Sequence, residues 1–143
     1  MTSAPLAVFF IAAVAGMVAC APYPADGAGD GAFAELTVTP DRLRAGDSLE
    51  LTLTNRSEQQ LGYNLCTSAI ERRTAAGEWE VHPVPLAEVC TMELRVLDPG
   101  ASDTFRHNLP ALQPGTYRFR AGVEWPLGGD RVGVTSTTFD VVS

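Results

Sequence analysis

Residues 33–143 predict a single all-β domain, an antiparallel β-sandwich of about seven to eight short strands. Three observations carry this expectation. Apolar side chains recur at every second position in segment after segment, the signature of strands with one buried and one wet face. Pro, Gly, Asn and Asp punctuate those segments at short intervals, where chain reversals need them. No stretch carries the 3.6-residue apolar period of a long amphipathic helix. A length of about 110 residues suits one hydrophobic core.

Ahead of the domain, residues 1–19 read as a targeting segment and residues 20–32 as a tether. Leu6 to Val18 is apolar and of h-region length, short of the roughly 20 residues that span a bilayer. It runs into Met17-Val18-Ala19-Cys20, small residues closing on a cysteine. This resembles the lipobox of bacterial lipoproteins. The resemblance implies a diacylglyceryl group on the Cys20 thiol, cleavage before Cys20 and acylation of the new N-terminus. Met17 stands where that family usually has Leu, and Met1 to Pro5 hold no Lys or Arg. An ordinary secretory signal cut near Ala19 or Ala21, or a short uncleaved anchor, are the other readings. Two or more acyl chains anchor a protein stably to a membrane. Ala21, where an Asp would signal inner-membrane retention in some of these lipoproteins, implies the outer membrane if the cell has one. Ala21 to Ala32 are Pro, Gly, Ala and Asp with one aromatic, too little apolar surface to offset chain entropy. A Gly-rich chain of that length reaches roughly 20 Å on average.

Within the domain, Leu36 and Val38 mark the first strand. Leu49, Leu51 and Leu53, alternating with Glu50, Thr52 and Thr54, mark the second. Leu61 to Leu65 forms the third. Ala69 to Ala75 ends or edges a strand rather than making a turn of helix. Met92, Leu94 and Val96 alternate before Leu97. Tyr117, Phe119, Ala121 and Val123 alternate with Arg118, Arg120, Gly122 and Glu124, and the last strand runs from Val132 through Phe139 to Val141. Turns fall at Pro40-Asp41, Ala45-Gly46-Asp47, Asn55-Arg56-Ser57, Ala76-Gly77, Asp98-Pro99-Gly100, Gln113-Pro114-Gly115 and Leu127-Gly128-Gly129-Asp130. Tyr117 opens a strand just after a Pro-Gly turn. That is the place of a tyrosine corner, whose phenol bonds back to upstream backbone. Trp79 is expected to pack across the sandwich core.

Leu51 to Ser57, Gly77-Glu78-Trp79, Leu97-Asp98-Pro99-Gly100 and Leu109 to Arg120 follow one another in an order that resembles the bacterial Ig-like domains of exported proteins, over residues 34–142. The resemblance implies an Ig-like sandwich. The antibody-type bridge between its second and penultimate strands is absent, since Phe119 occupies the place of the second cysteine. Cys66 and Cys90 then remain. In an exported chain with Cys20 lipidated, an even remainder favours a disulfide, which would close a loop of about 25 residues. A metal or redox pair is the alternative, although no CxxC spacing is present.

The chemistry-bearing residues are sparse. His82 and His107 are the only histidines, and each reads as structural or surface. Cys90-Thr91-Met92 brings sulfur ligands together, without the cupredoxin spacing of Cys, His and Met. No Gly-x-Ser-x-Gly elbow, P-loop, dinucleotide fingerprint or HExxH occurs. The Asp130 turn could hold a weak Ca²⁺ but reads first as a hairpin. All ten basic residues are Arg, which removes lysine nucleophiles, and net charge −7 argues against nucleic acid. Arg118 and Arg120, with Arg72 and Arg73 nearby, form either an anion patch or a solvated face paired with Glu. The Trp125-Pro126-Leu127 tip reads as a candidate contact surface.

The expected function is therefore non-catalytic and needs no cofactor or metal. A lipid-anchored, extracytoplasmic module would bind or scaffold another envelope protein through a strand edge or loops. The loop from Ser68 to Thr91 and the Trp125 to Arg131 hairpin are the expected contacts. Two alternatives stand beside it. The layout also resembles small sandwich-type bacterial proteinase inhibitors. A periplasmic metal or redox carrier would need His82, His107, Met92 and free thiols to converge.

Overall fold

Alternation becomes strand through most of the domain. The computed structural model describes residues 33–83 and 90–143, so the expected targeting segment, the tether and Cys20 lie outside the described residues. Eleven strand segments form among the described residues: β1 (Ala34–Thr39), β2 (Arg42–Arg44), β3 (Ser48–Asn55), β4 (Leu61–Tyr63), β5 (Ala69–Arg73), β6 (Trp79–Val81), β7 (Arg95–Leu97), β8 (Ser102–Asn108), β9 (Gly115–Glu124), β10 (Arg131–Thr135) and β11 (Phe139–Val142). One sheet has the order β1-β3-β8, all antiparallel. The other is organised around β9. One side of β9 pairs with β11 and then β10, and the other side with β5 and then β4. Beyond them β6 flanks β5, β7 flanks β4, and β2 runs parallel to β11. The result is an all-β, Ig-like sandwich.

The excess of segments over the expected seven or eight has a local cause. Three long rows are each interrupted. Pro40, with no amide proton to donate, ends the ladder of β1, and the chain passes to the other sheet as β2. Between β4 and β5 the chain takes a single 3-10 turn, Leu65–Thr67. Between β10 and β11, Ser136 replaces part of the ladder with its side chain. Phe119 N donates to Ser136 Oγ at 2.8 Å, and Ser136 N to Phe119 O at 2.9 Å. Thr137 then reaches the other sheet, with its N bonded to Leu36 O at 3.1 Å and its Oγ1 accepting from Val38 N at 3.0 Å. That break stitches the two sheets together along one side.

The core lies between the sheets, where Leu49, Leu51 and Leu53 of β3 meet Tyr117, Phe119 and Val123 of β9 and Phe139 of β11. His107 is part of it, stacked on Phe119 at 4.8 Å and set edge-on to Phe105 at 4.7 Å. The Tyr117 hydroxyl donates to Gln113 O at 2.7 Å, the backward bond of a tyrosine corner.

Three expectations are corrected. Trp79 does not pack across the core. It lies on the outermost strand β6, opposite Arg73, and covers the Arg118 guanidinium at 4.3 Å on the outer face. An arginine stem with an aromatic over it holds a tryptophan well without a place in the interior. Met92, Leu94 and Val96 are not a core face either. Leu97 turns inward from β7, which puts Val96 and the residues two and four before it outward. The Ser68 to Thr91 loop is in large part the β5–β6 hairpin, and residues 84–89 lie outside the described residues. Strands β2 and β8 carry little apolar signal. In β8 the inward positions include a charged residue and an imidazole, Asp103 and His107, beside Phe105.

Candidate functional site

The outer face of the larger sheet carries most of the unusual chemistry. Glu71 on β5 stands opposite Arg118 on β9, and the pair is desolvated: Arg118 Nε meets Glu71 Oε2 at 2.6 Å, with side-chain exposures of 16% and 5%. Arg120 Nη1 lies 3.7 Å from the other Glu71 oxygen. The sheet face is thus paired with Glu, as the solvated-face reading expected, but its carboxylate is buried. Beyond Arg120 the cross-strand partners Gly122 and Gly133 leave the sheet surface bare. A Cβ on Gly122 would stand 2.7 Å from Arg131 Nε, and one on Gly133 2.8 Å from Arg120 Nε. The glycines are what allow both guanidinium groups to lie flat against the backbone. Arg72 is elsewhere, over the Tyr117 ring and bonded to Pro114 O at 3.1 Å.

A second constellation closes one side of the sandwich. Cys66, in the 3-10 turn, is bridged to Cys90 with the Cα atoms 5.5 Å apart. Asn64 Nδ2 donates to Thr91 O at 2.7 Å, so the segment leading to β7 is held to the break in the β4–β5 row twice over. Beside it Tyr63 and Arg95, from the larger sheet, both donate to Asp103 Oδ2 of β8, at 2.7 and 2.6 Å. Burial pushes the Tyr63 phenol up to about 12. Its hydrogen bond to Asp103 and that carboxylate's charge add to the shift, and the Arg95 charge opposes it. These residues, with Leu65, Cys66 and Phe105, line an open cleft of about 340 Å³. A phenol held neutral in this way is a hydrogen-bond donor, not a base or nucleophile.

The third feature is apolar. Trp125 stacks on Phe33 with ring centroids 4.8 Å apart, and Leu127 N bonds to Gln60 O at 2.8 Å, folding the β9–β10 connection over the end of the sheet. Gly128, at φ +80°, makes that turn possible. A Cβ on Gly62 would touch both Leu127 and Leu94 at 3.0–3.1 Å, so these two leucines meet over that glycine. Val96 is its cross-strand neighbour. Exposures are 36% for Trp125, 38% for Leu127, 44% for Leu94, 49% for Val96 and 91% for Met92. The tip that sequence reading singled out, Trp125-Pro126-Leu127, is one end of this larger surface. Gly62 was the available signal for the rest, a small residue within a strand where something else packs.

The residues of the carrier reading are dispersed. His107 is in the core, the His82 ring is edge-on to Tyr117 at 5.8 Å, Met92 is on the surface, and the Cys66 and Cys90 sulfurs are bonded to each other. Among the described residues, no three His, Cys, Asp or Glu side chains converge as a metal-ligand group.

No family model matches this chain, and no curated protein matches it. Among solved structures, it is similar to the Pseudomonas fluorescens alkylpurine DNA glycosylase AlkC bound to DNA containing an abasic site analog. That match has 21% identity over 82% of this chain and a TM-score of 0.44. This chain corresponds to only 32% of the glycosylase chain. It is also similar to the ASH/PapD-like domain 7 of human CEP192, at 11% identity, with 93% of this chain and 98% of that one covered and a TM-score of 0.37. Both are distant likenesses of fold, and neither protein's activity follows for this chain.

Proposed function

We propose that this chain is a non-catalytic, lipid-anchored protein of a bacterial envelope whose Ig-like domain binds or scaffolds another envelope protein. The observation that carries the reading is the Cys66–Cys90 bridge. Disulfides of this kind persist in oxidising compartments outside the cytoplasm. The bridge also accounts for two of the three cysteines and leaves Cys20, at the end of the apolar leader, as the remaining thiol. Among the described residues the domain offers features suited to recognition. Its cleft beside the bridge is lined by Arg95 and Asp103 with Phe105, a mixture of charge and aromatic surface that suits a protein partner.

The test is the intact mass of the protein taken from its native membrane, before and after reduction and alkylation. The expected result is a mass for acylated Cys20 as first residue, with two alkylations appearing only after reduction. An unacylated mass, or alkylation of Cys66 and Cys90 without reduction, overturns the reading.

A further inference from the structure

We infer that the domain does not hang free from its anchor but lies against the lipid surface through the apolar corner of Trp125, Leu127, Leu94, Val96 and Met92. This inference rests on the lipid-anchor reading above. The position of residue 33 points to it. The chain comes in from Cys20 through residues 21–32 and joins the domain at Phe33, whose ring is stacked on Trp125. The anchored end of the chain therefore meets the sandwich beside its exposed apolar surface. Gly115, at the far end of β9, is about 30 Å away along a ten-residue strand. A twelve-residue connection spans at most about 40 Å and typically half that. The apolar corner thus lies at the end of the domain where the tether attaches.

The chemistry of the corner fits that occupant. An aromatic ring and aliphatic side chains are grouped here, and the nearby Arg131 shares its depression with Glu93 and Glu124 and is preceded in the chain by Asp130. A chain of net charge −7 would gain nothing from anionic lipid, so contact must come from apolar burial at the headgroup boundary. Alone, so small a patch would bind weakly. Tethering converts the contact to an intramolecular one at an effective concentration in the millimolar range, where a weak affinity suffices.

The test uses the chain starting at Cys20, because the core described above is drawn wholly from residues 33–143. With the bridge formed, the Cys20 thiol is the one available for coupling to a maleimide lipid in phosphatidylcholine vesicles. Trp79→Phe leaves Trp125 as the sole tryptophan. On brominated-lipid vesicles Trp125 emission is expected to fall about twofold, as for a ring at the headgroup boundary, and to stay low in high salt. Leu94→Asp with Leu127→Asp should restore it, since both side chains lie outside the core. Unquenched Trp125 on a coupled chain overturns the inference, as does quenching that survives the double substitution or vanishes with salt. Crosslinking of the corner to a second copy or another protein, with no quenching, overturns it in favour of a protein occupant. Because coupling supplies the tether in the tube, failure of cells to acylate Cys20 is read separately, by the mass measurement.

Discussion

On the three-stranded sheet outward hydroxyls bond to one another, Thr52 to Thr104 and Thr54 to Ser102, each at 2.8 Å, and Arg106 reaches Ser48 at 2.7 Å. On the larger sheet the outward residues are a buried carboxylate, arginines lying on glycines, and exposed leucines. The first face alternates without interruption along β1, β3 and β8, and its hydroxyl pairs join immediate cross-strand neighbours, with Arg106 reaching diagonally to Ser48. The second is assembled from broken strands, a disulfide and side chains that reach past their neighbours. The difference teaches where this domain can afford change: hydroxyl contacts on an open face are replaceable by water, whereas a desolvated ion pair or a covalent tie is not.

Four measurements would break or sharpen that contrast. Removing the bridge with Cys66→Ala and Cys90→Ala should cost about 3–4 kcal/mol by chain-entropy reasoning for a loop of this size, read from urea unfolding. An effect under about 1 kcal/mol would mean that the tie between the β4–β5 break and the segment before β7 is dispensable. Glu71→Ala should cost about 3 kcal/mol, because it leaves the Arg118 guanidinium desolvated without its partner. Glu71→Leu combined with Arg118→Leu should recover much of the loss, and equal damage from the pair would refute the ion-pair account.

The third measurement uses pH on the contact between the sheets. The Tyr63 phenol is held up to about 12 in the folded chain against an ordinary value of 10.0. Folding therefore favours the protonated phenol. Its contribution is fully present below pH 10, declines as pH rises from 10 to 12 and is lost above 12. Tyr63→Phe should flatten that alkaline limb of the stability profile, and an unchanged limb would assign it to another group. The smallest effect is expected on the hydroxyl face, where Thr52→Ala should change stability by about 0.5 kcal/mol or less. A loss comparable to that of Glu71→Ala would erase the distinction between the faces.

Much of this architecture was legible along the chain. The Leu49, Leu51, Leu53 and Tyr117, Phe119, Val123 alternations give the two central strands, because a half-buried strand must repeat every second residue. Tyr117 after Pro114-Gly115 gives the corner bond, which is local. Less was legible where period two no longer identifies the buried face. The alternation of Met92, Leu94 and Val96 was plain, yet only pairing of Leu97 with Leu61 decides that those side chains face out. Strand β8 hides because His107 serves as a core ring between aromatics, a role its residue type does not announce. Trp79 has the composition of a core residue and finds Arg118 instead.

By itself the sequence determined the fold class and offered Cys66 and Cys90 as a pair for bridging, since these depend on periodicity, turn chemistry and spacing within short stretches. Tertiary structure alone decided that Glu71 is buried against Arg118, that Gly122 and Gly133 face each other beneath two arginines, and that Phe33 meets Trp125 where the chain joins the domain. Those contacts join residues between 11 and 92 positions apart. Strand register sets them, and register is fixed by the packing of the whole sandwich rather than by any one segment.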